Sequence, residues 1–69
     1  MDDQHDDASV AADKISSVAK IAEYIGEPLR RTQYLCERGI IPVGKEGSRY
    51  VASRRRLRAH YEKLTSGEA

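Results

Sequence analysis

The chain has 69 residues, which sets one domain as the ceiling, and it contains four Tyr, no Trp and no Phe, so any core is small and aliphatic. A single Cys excludes an internal disulfide and fits a reducing cytoplasm, and no apolar run approaches the ~20 residues that span a bilayer. The net charge of +1 hides a separation: residues 1–13 hold five acids and no Lys or Arg, whereas residues 14–69 hold twelve bases and six acids. Between Pro28 and Arg58 nine bases face two acids. Such segregation suggests a polyanion-binding surface plus an acidic arm, although charge alone leaves a merely solvated surface equally open.

Residues 1–14 are poor in large apolar side chains and begin MDDQHDD, unlike the basic-then-apolar start of a secretory signal. They read as a mostly unstructured acidic arm carrying Asp2, Asp3, Asp6, Asp7 and Asp13. Met1 sets the expectation of a complete chain.

The domain proper is expected over residues 15–65. Ser16 or Ser17 caps a first helix in which Val18, Ile21, Ala22 and Ile25 form an apolar stripe, and Gly26 ends it. A second helix is expected from Pro28 to Arg38, with Leu29, Thr32, Leu35 and Cys36 on the inner side and Gly39 as the stop. Its outer side is then Arg30, Tyr34 and Arg38, flanked by Arg31 and Glu37, where an ordinary solvated helix would mix Glu with Lys. Ile40–Val43 and Ser48–Val51 read as two strands of a hairpin around a Gly44–Gly47 turn, the first demoted to an edge by Pro42. Ser53 caps a last helix, Arg54 to Leu64, whose Leu57, Tyr61 and Leu64 close the core. Residues 66–69 fray.

The resulting fold class is mainly α with a small β-hairpin, a winged helix–turn–helix. A helix–turn–helix followed by a basic hairpin is a DNA-docking device. In the second helix, Arg30 and Arg31 lie in the turn that reaches base edges, Gln33 can pair with adenine, and Tyr34 can contact phosphate or sugar. Arg38 suits DNA or simply the negative end of the helix dipole. The hairpin offers Lys45, Ser48 and Arg49, of which an arginine suits a narrow minor groove. Arg54, Arg55 and Arg56 put three cations in the first turn of a helix, against its dipole. An external phosphate would resolve that conflict, the alternative being repulsion tolerated on a loose surface. Cys36 and Thr32 read as core. His5 and His60 lack partners at metal spacing, and no nucleophile–base, Walker or zinc motif is present, so neither catalysis nor a cofactor is expected.

The stretch AKIAEYIGEPLRRTQYLCERGIIPVGKEGSRYVASRRRLRAHY resembles the MerR-like winged helix–turn–helix of the excisionase family, the recombination directionality factors of phages and integrative elements. The carriers are Ala22-Glu23-Tyr24-Ile25-Gly26, Glu37-Arg38-Gly39, Ile41-Pro42, the Gly-Ser-Arg-Tyr return of the hairpin, and a helix starting at Ser53 with Leu57. The resemblance covers about Ser16 to Leu64 and departs at Pro28, where the family commonly places a Ser or Thr cap. It implies a cytoplasmic, nucleoid-associated, non-catalytic protein that binds and bends attachment-site DNA, self-associating on it, so that a tyrosine integrase excises the element. Double-stranded DNA is then the partner, with no membrane and no small-molecule ligand. Relatives of this fold include small transcription regulators of mobile-element genes and the DNA-binding part of terminase small subunits, which stand as alternatives. A module that meets protein instead of DNA would show an exposed apolar patch where this chain shows arginines.

Overall fold

The computed structural model describes residues 9–67 as a small mixed α/β domain, four helices and a three-stranded antiparallel sheet. The elements are α1 (Val10–Asp13), β1 (Lys14–Ser16), α2 (Val18–Ile25), α3 (Leu29–Glu37), β2 (Val43–Glu46), β3 (Arg49–Ser53) and α4 (Arg54–Leu64). The acidic arm expected over residues 1–14 is therefore shorter at its end: Ser9 caps the single turn of α1, and Lys14 begins a strand. Residues 1–8, with the rest of that expectation, lie outside the described residues.

Like α1, β1 is not announced by the sequence, and it turns the expected two-stranded hairpin into a sheet of order β1-β3-β2. Ile15 pairs with Ala52 and Val43 pairs with the same residue from the other side. These three side chains share the inner face. Gly44, Val51 and Ser16 form the next rung and face outward. A single residue joins β1 to α2. Ser17 makes that corner with φ 85°, a left-handed conformation that side chains rarely adopt. Three bonds hold it there: its N–H donates to Tyr50 O (2.9 Å), its carbonyl accepts from Ile21 N (3.1 Å), and its hydroxyl accepts from Lys20 N (3.3 Å).

The helices follow the expected punctuation. Gly26 closes α2 at φ 74°. At the end of α3 the N–H of Gly39 reaches Cys36 O and that of Ile40 reaches Leu35 O, a paired C-terminal cap that needs the positive φ of Gly39. Pro28 supplies no side-chain cap to α3, but its carbonyl accepts from both the backbone and the hydroxyl of Thr32, each at 2.9 Å. That second bond satisfies the one polar side chain fully buried among the described residues.

The hairpin is shifted from its expected register. The strands are Val43–Glu46 and Arg49–Ser53, and the turn is the two residues Gly47-Ser48, not Gly44–Gly47. Only Gly47 of that pair has positive φ, as a two-residue turn with glycine first requires. Gly44 lies within a strand, and Ile40 and Ile41 precede the sheet. Ile15, Ile21, Leu35, Cys36, Ile41, Ala52 and Leu57 form the core. Three expected inner positions lie outside it, Val18 being half-buried and the other two exposed. Leu29 is 54% exposed at the first turn of α3, and Leu64 is 65% exposed on the last turn of α4. The inner side of α4 is closed by Leu57 and the half-buried Tyr61.

Candidate nucleic-acid interface

Burial of Thr32, Leu35 and Cys36 fixes the rotation of α3, because these lie at i, i+3 and i+4. Arg30, Arg31, Gln33, Tyr34, Glu37 and Arg38 are all exposed as a result. Arg30 and Tyr34, one turn apart, stand opposite the buried stripe. The Arg38 guanidinium lies 5.6 Å from the centre of the Tyr34 ring, which presents the two as one stacked cationic surface. Arg31 instead leans back to Glu27, its Nε 3.4 Å from Oε1, so its charge is partly answered within the chain. Gln33 donates from Nε2 to Glu37 Oε2 at 3.3 Å.

The hairpin approaches one flank of α3. Gln33 and Glu37 share an open groove of about 400 Å³ with Lys45, Ser48, Arg49 and Tyr50, closed at one end by Ser17 and Val18. The Lys45 ammonium sits 4.9 Å over the Tyr50 ring, which holds the flexible side chain near the groove. Gln33, Lys45, Ser48 and Arg49 are thereby brought together. Arg30, Tyr34 and Arg38 continue the same exposed helix.

The run Arg54-Arg55-Arg56 is placed differently from its expectation. The anion that its helix end calls for is supplied within the chain. One oxygen of the Asp13 carboxylate accepts from Arg55 N at 2.9 Å, and the other accepts from the Ser53 hydroxyl. Ser53 Oγ in turn accepts from Arg56 N at 3.2 Å. The backbone N–H groups of Arg55 and Arg56 are therefore occupied within the chain. Arg54 is a clamp rather than a free cation: its Nη1 donates to the carbonyls of Ala12 (2.7 Å) and Lys14 (3.2 Å), and its guanidinium stands 5.9 Å from the Tyr24 ring. Arg55 and Arg56 are exposed and line a second, larger groove of about 800 Å³ over the outer face of the sheet, which shares only Lys45 with the first. The Lys14–Glu46 ion pair, at 2.9 Å, also lies along it.

Nothing local in the sequence marks Asp13, since the register Lys14↔Ser53 is what brings it to α4. The Ser53 hydrogen bond, the Arg55 N–H and then the Arg55 and Arg54 charges hold its carboxyl below the ordinary value of 3.8. Near that pH the unfolded chain binds the proton and the folded chain does not, so stability rises with pH there. The contribution is present above 3.8 and is lost as pH falls through the lower folded value. Asp13→Asn is therefore expected to melt at a lower temperature than the parent at neutral pH, with the gap closing as pH falls below 3.8 and through the lower folded value. Thermal melts across that range check this, and a gap independent of pH would show that the Asp13 carboxylate does not carry the effect.

Cys36 is buried, and desolvation, followed by the Glu37 charge, raises its thiol pKa, so it is a core side chain of low reactivity. His60 packs edge-on against Tyr61, with ring centres 5.0 Å apart. Among the described residues no three His, Cys, Asp or Glu side chains are grouped to hold a metal ion, and no helix is long and apolar enough to cross a membrane. The chain matches no family model, and no curated protein or solved structure is significantly similar to it.

Proposed function

We propose that this protein binds double-stranded DNA as a winged helix–turn–helix, with α2 and α3 as the paired helices, α3 as the reading helix and the β2–β3 hairpin as the wing. The observation that carries the reading is the shared groove in which Gln33 of α3 meets Lys45, Ser48 and Arg49 of the hairpin, continuous with the exposed Arg30–Tyr34–Arg38 face. A helix with arginines in its first turn suits the major groove, and a basic two-stranded tip suits the backbone or the neighbouring minor groove. Arg55 and Arg56 supply phosphate contacts through their side chains alone, since their amides are bound to Asp13 and Ser53.

Within this reading the biological role is that of an excisionase. A single module of this kind buries only ~600–1,000 Å² on DNA, too little for high specificity by itself. Several copies bound side by side would gain specificity and bend the duplex, which is the task of a recombination directionality factor working with a tyrosine integrase. The resemblance described above is shared by small transcription regulators with the same interface, which stand as the alternative role.

Two variants test the interface. On a duplex selected from a random pool, Arg30→Ala is expected to weaken binding by ~1–3 kcal/mol and to reduce discrimination against random DNA. Arg55→Ala is expected to weaken both duplexes alike. If both variants change cognate and random binding in the same proportion, α3 is not the reading helix. Stimulation of integrase-mediated excision on attachment-site DNA separates the excisionase from a regulator, which would leave excision unchanged and alter transcription from its own site.

A further inference from the structure

Glu37 is out of place on a surface meant only to hold phosphate. It is the one acid of α3 and the one acid lining the groove between α3 and the hairpin, where it faces a wall carrying Lys45 and Arg49. Among the described residues no ion pair joins it to either base. Its partner is Gln33, one turn earlier, whose Nε2 donates to its Oε2 at 3.3 Å. That bond uses one of the two N–H groups of the Gln33 carboxamide and settles which end of the amide is nitrogen. The amide oxygen and the second N–H remain for a ligand entering the groove.

The geometry points to Gln33 and Glu37 as a specificity-determining pair that selects adenine at one position of the bound duplex. This inference rests on the DNA-binding reading above and names what one part of that site reads. In the major groove adenine offers an amino donor at N6 beside an acceptor at N7, the complement of an amide oxygen beside an amide N–H. Guanine offers two acceptors, O6 and N7, and the carboxylate beside Gln33 repels both. Glu37 acts as the positioning residue: it orients the carboxamide and makes guanine costly, at the expense of some affinity for every phosphate nearby. Both residues are exposed on one face of a helix held by buried neighbours, so replacing them leaves the core untouched.

The test is selection from randomised duplexes by the parent, Gln33→Ala, Glu37→Ala and Glu37→Gln, followed by titration of the winning duplex and of the same duplex with its A·T pair changed to G·C. The parent is expected to prefer adenine about tenfold, the scale of one good bidentate contact. Gln33→Ala loses the preference. Glu37→Ala reduces it to less than about threefold while binding random duplex at least as tightly, because a carboxylate has been removed from a basic surface. Glu37→Gln still accepts from Gln33 but no longer repels guanine, so its preference falls between those of the parent and Glu37→Ala. An unchanged preference in Glu37→Ala overturns the inference, as does an equal shift of both duplexes in the two Glu37 variants, which would make Glu37 a charge adjustment only. Failure of the parent to retain any duplex would overturn the DNA-binding reading itself, a result distinct from either of these.

Discussion

Replacing Leu57 by alanine is expected to leave the chain largely unfolded at room temperature. Leu57 has no exposed surface and is the buried side chain through which α4 joins the core. Truncating a buried leucine costs ~2–5 kcal/mol, from lost transfer energy and the cavity left behind. A domain of this size has only ~3–5 kcal/mol of stability from its core to lose. Leu64→Ala removes the same atoms from the same helix, but at a site 65% exposed, and is expected to cost less than ~0.5 kcal/mol. Urea titrations followed by circular dichroism compare the two. A loss below ~1 kcal/mol for Leu57→Ala would contradict the packing of α4 described here.

The second large effect is on binding. If the exposed arginines and lysines of α3, the hairpin and the start of α4 together neutralise about five phosphates, log affinity falls against log salt with a slope near −4 to −5. Between about 50 and 200 mM salt that is a loss of several hundredfold. The bases answered within the chain, Arg31 by Glu27, Lys14 by Glu46 and Arg54 by backbone carbonyls, contribute little to this slope. Replacing Arg49 by alanine should make the slope shallower by about one, whereas replacing Arg54 should chiefly lower the melting temperature. Fluorescence anisotropy over a salt series measures the slope, and an affinity insensitive to salt would sink the proposed interface.

The helices α2, α3 and α4 were legible because their signals are local. Ser17, Gly26, Gly39 and Ser53 each act within four residues of where they stand, and the caps at all four are found where the sequence puts them. The exposed face of α3 followed from its periodicity for the same reason. The sheet was not legible in the same way. Lys14-Ile15-Ser16 is too short to show an alternating pattern, and it is a strand only because Ala52 is beside it. Two glycines three residues apart gave no local reason to centre the turn on Gly47 and not to spread it over Gly44–Gly47; the pairing of Val43 with Ala52 makes that choice. The arginine run is a related case: its conflict with the helix dipole is a local signal, whereas Asp13, the carboxylate that meets it, is distant in sequence and adjacent only in the fold. The sequence pointed to Gln33, Lys45, Ser48 and Arg49 separately, and their common groove depends on where the hairpin lands against α3.

The bond between Ser53 and Asp13 spans forty positions of sequence, and among the described residues β1 pairs with β3 alone. During synthesis the first strand leaves the ribosome long before the residues that will flank it exist. α2 and α3 can associate on the nascent chain, but the sheet cannot close and Asp13 cannot meet the start of α4 until β3 and Arg55 have been made. Closure of this domain is therefore a late step, in which β1, made before α2 and α3, finds its place after them. A chain cut short just after Ser53 would already hold every residue of the α3–hairpin groove and the strand that pairs with β1, yet it would lack Leu57, the buried side chain through which α4 joins the core.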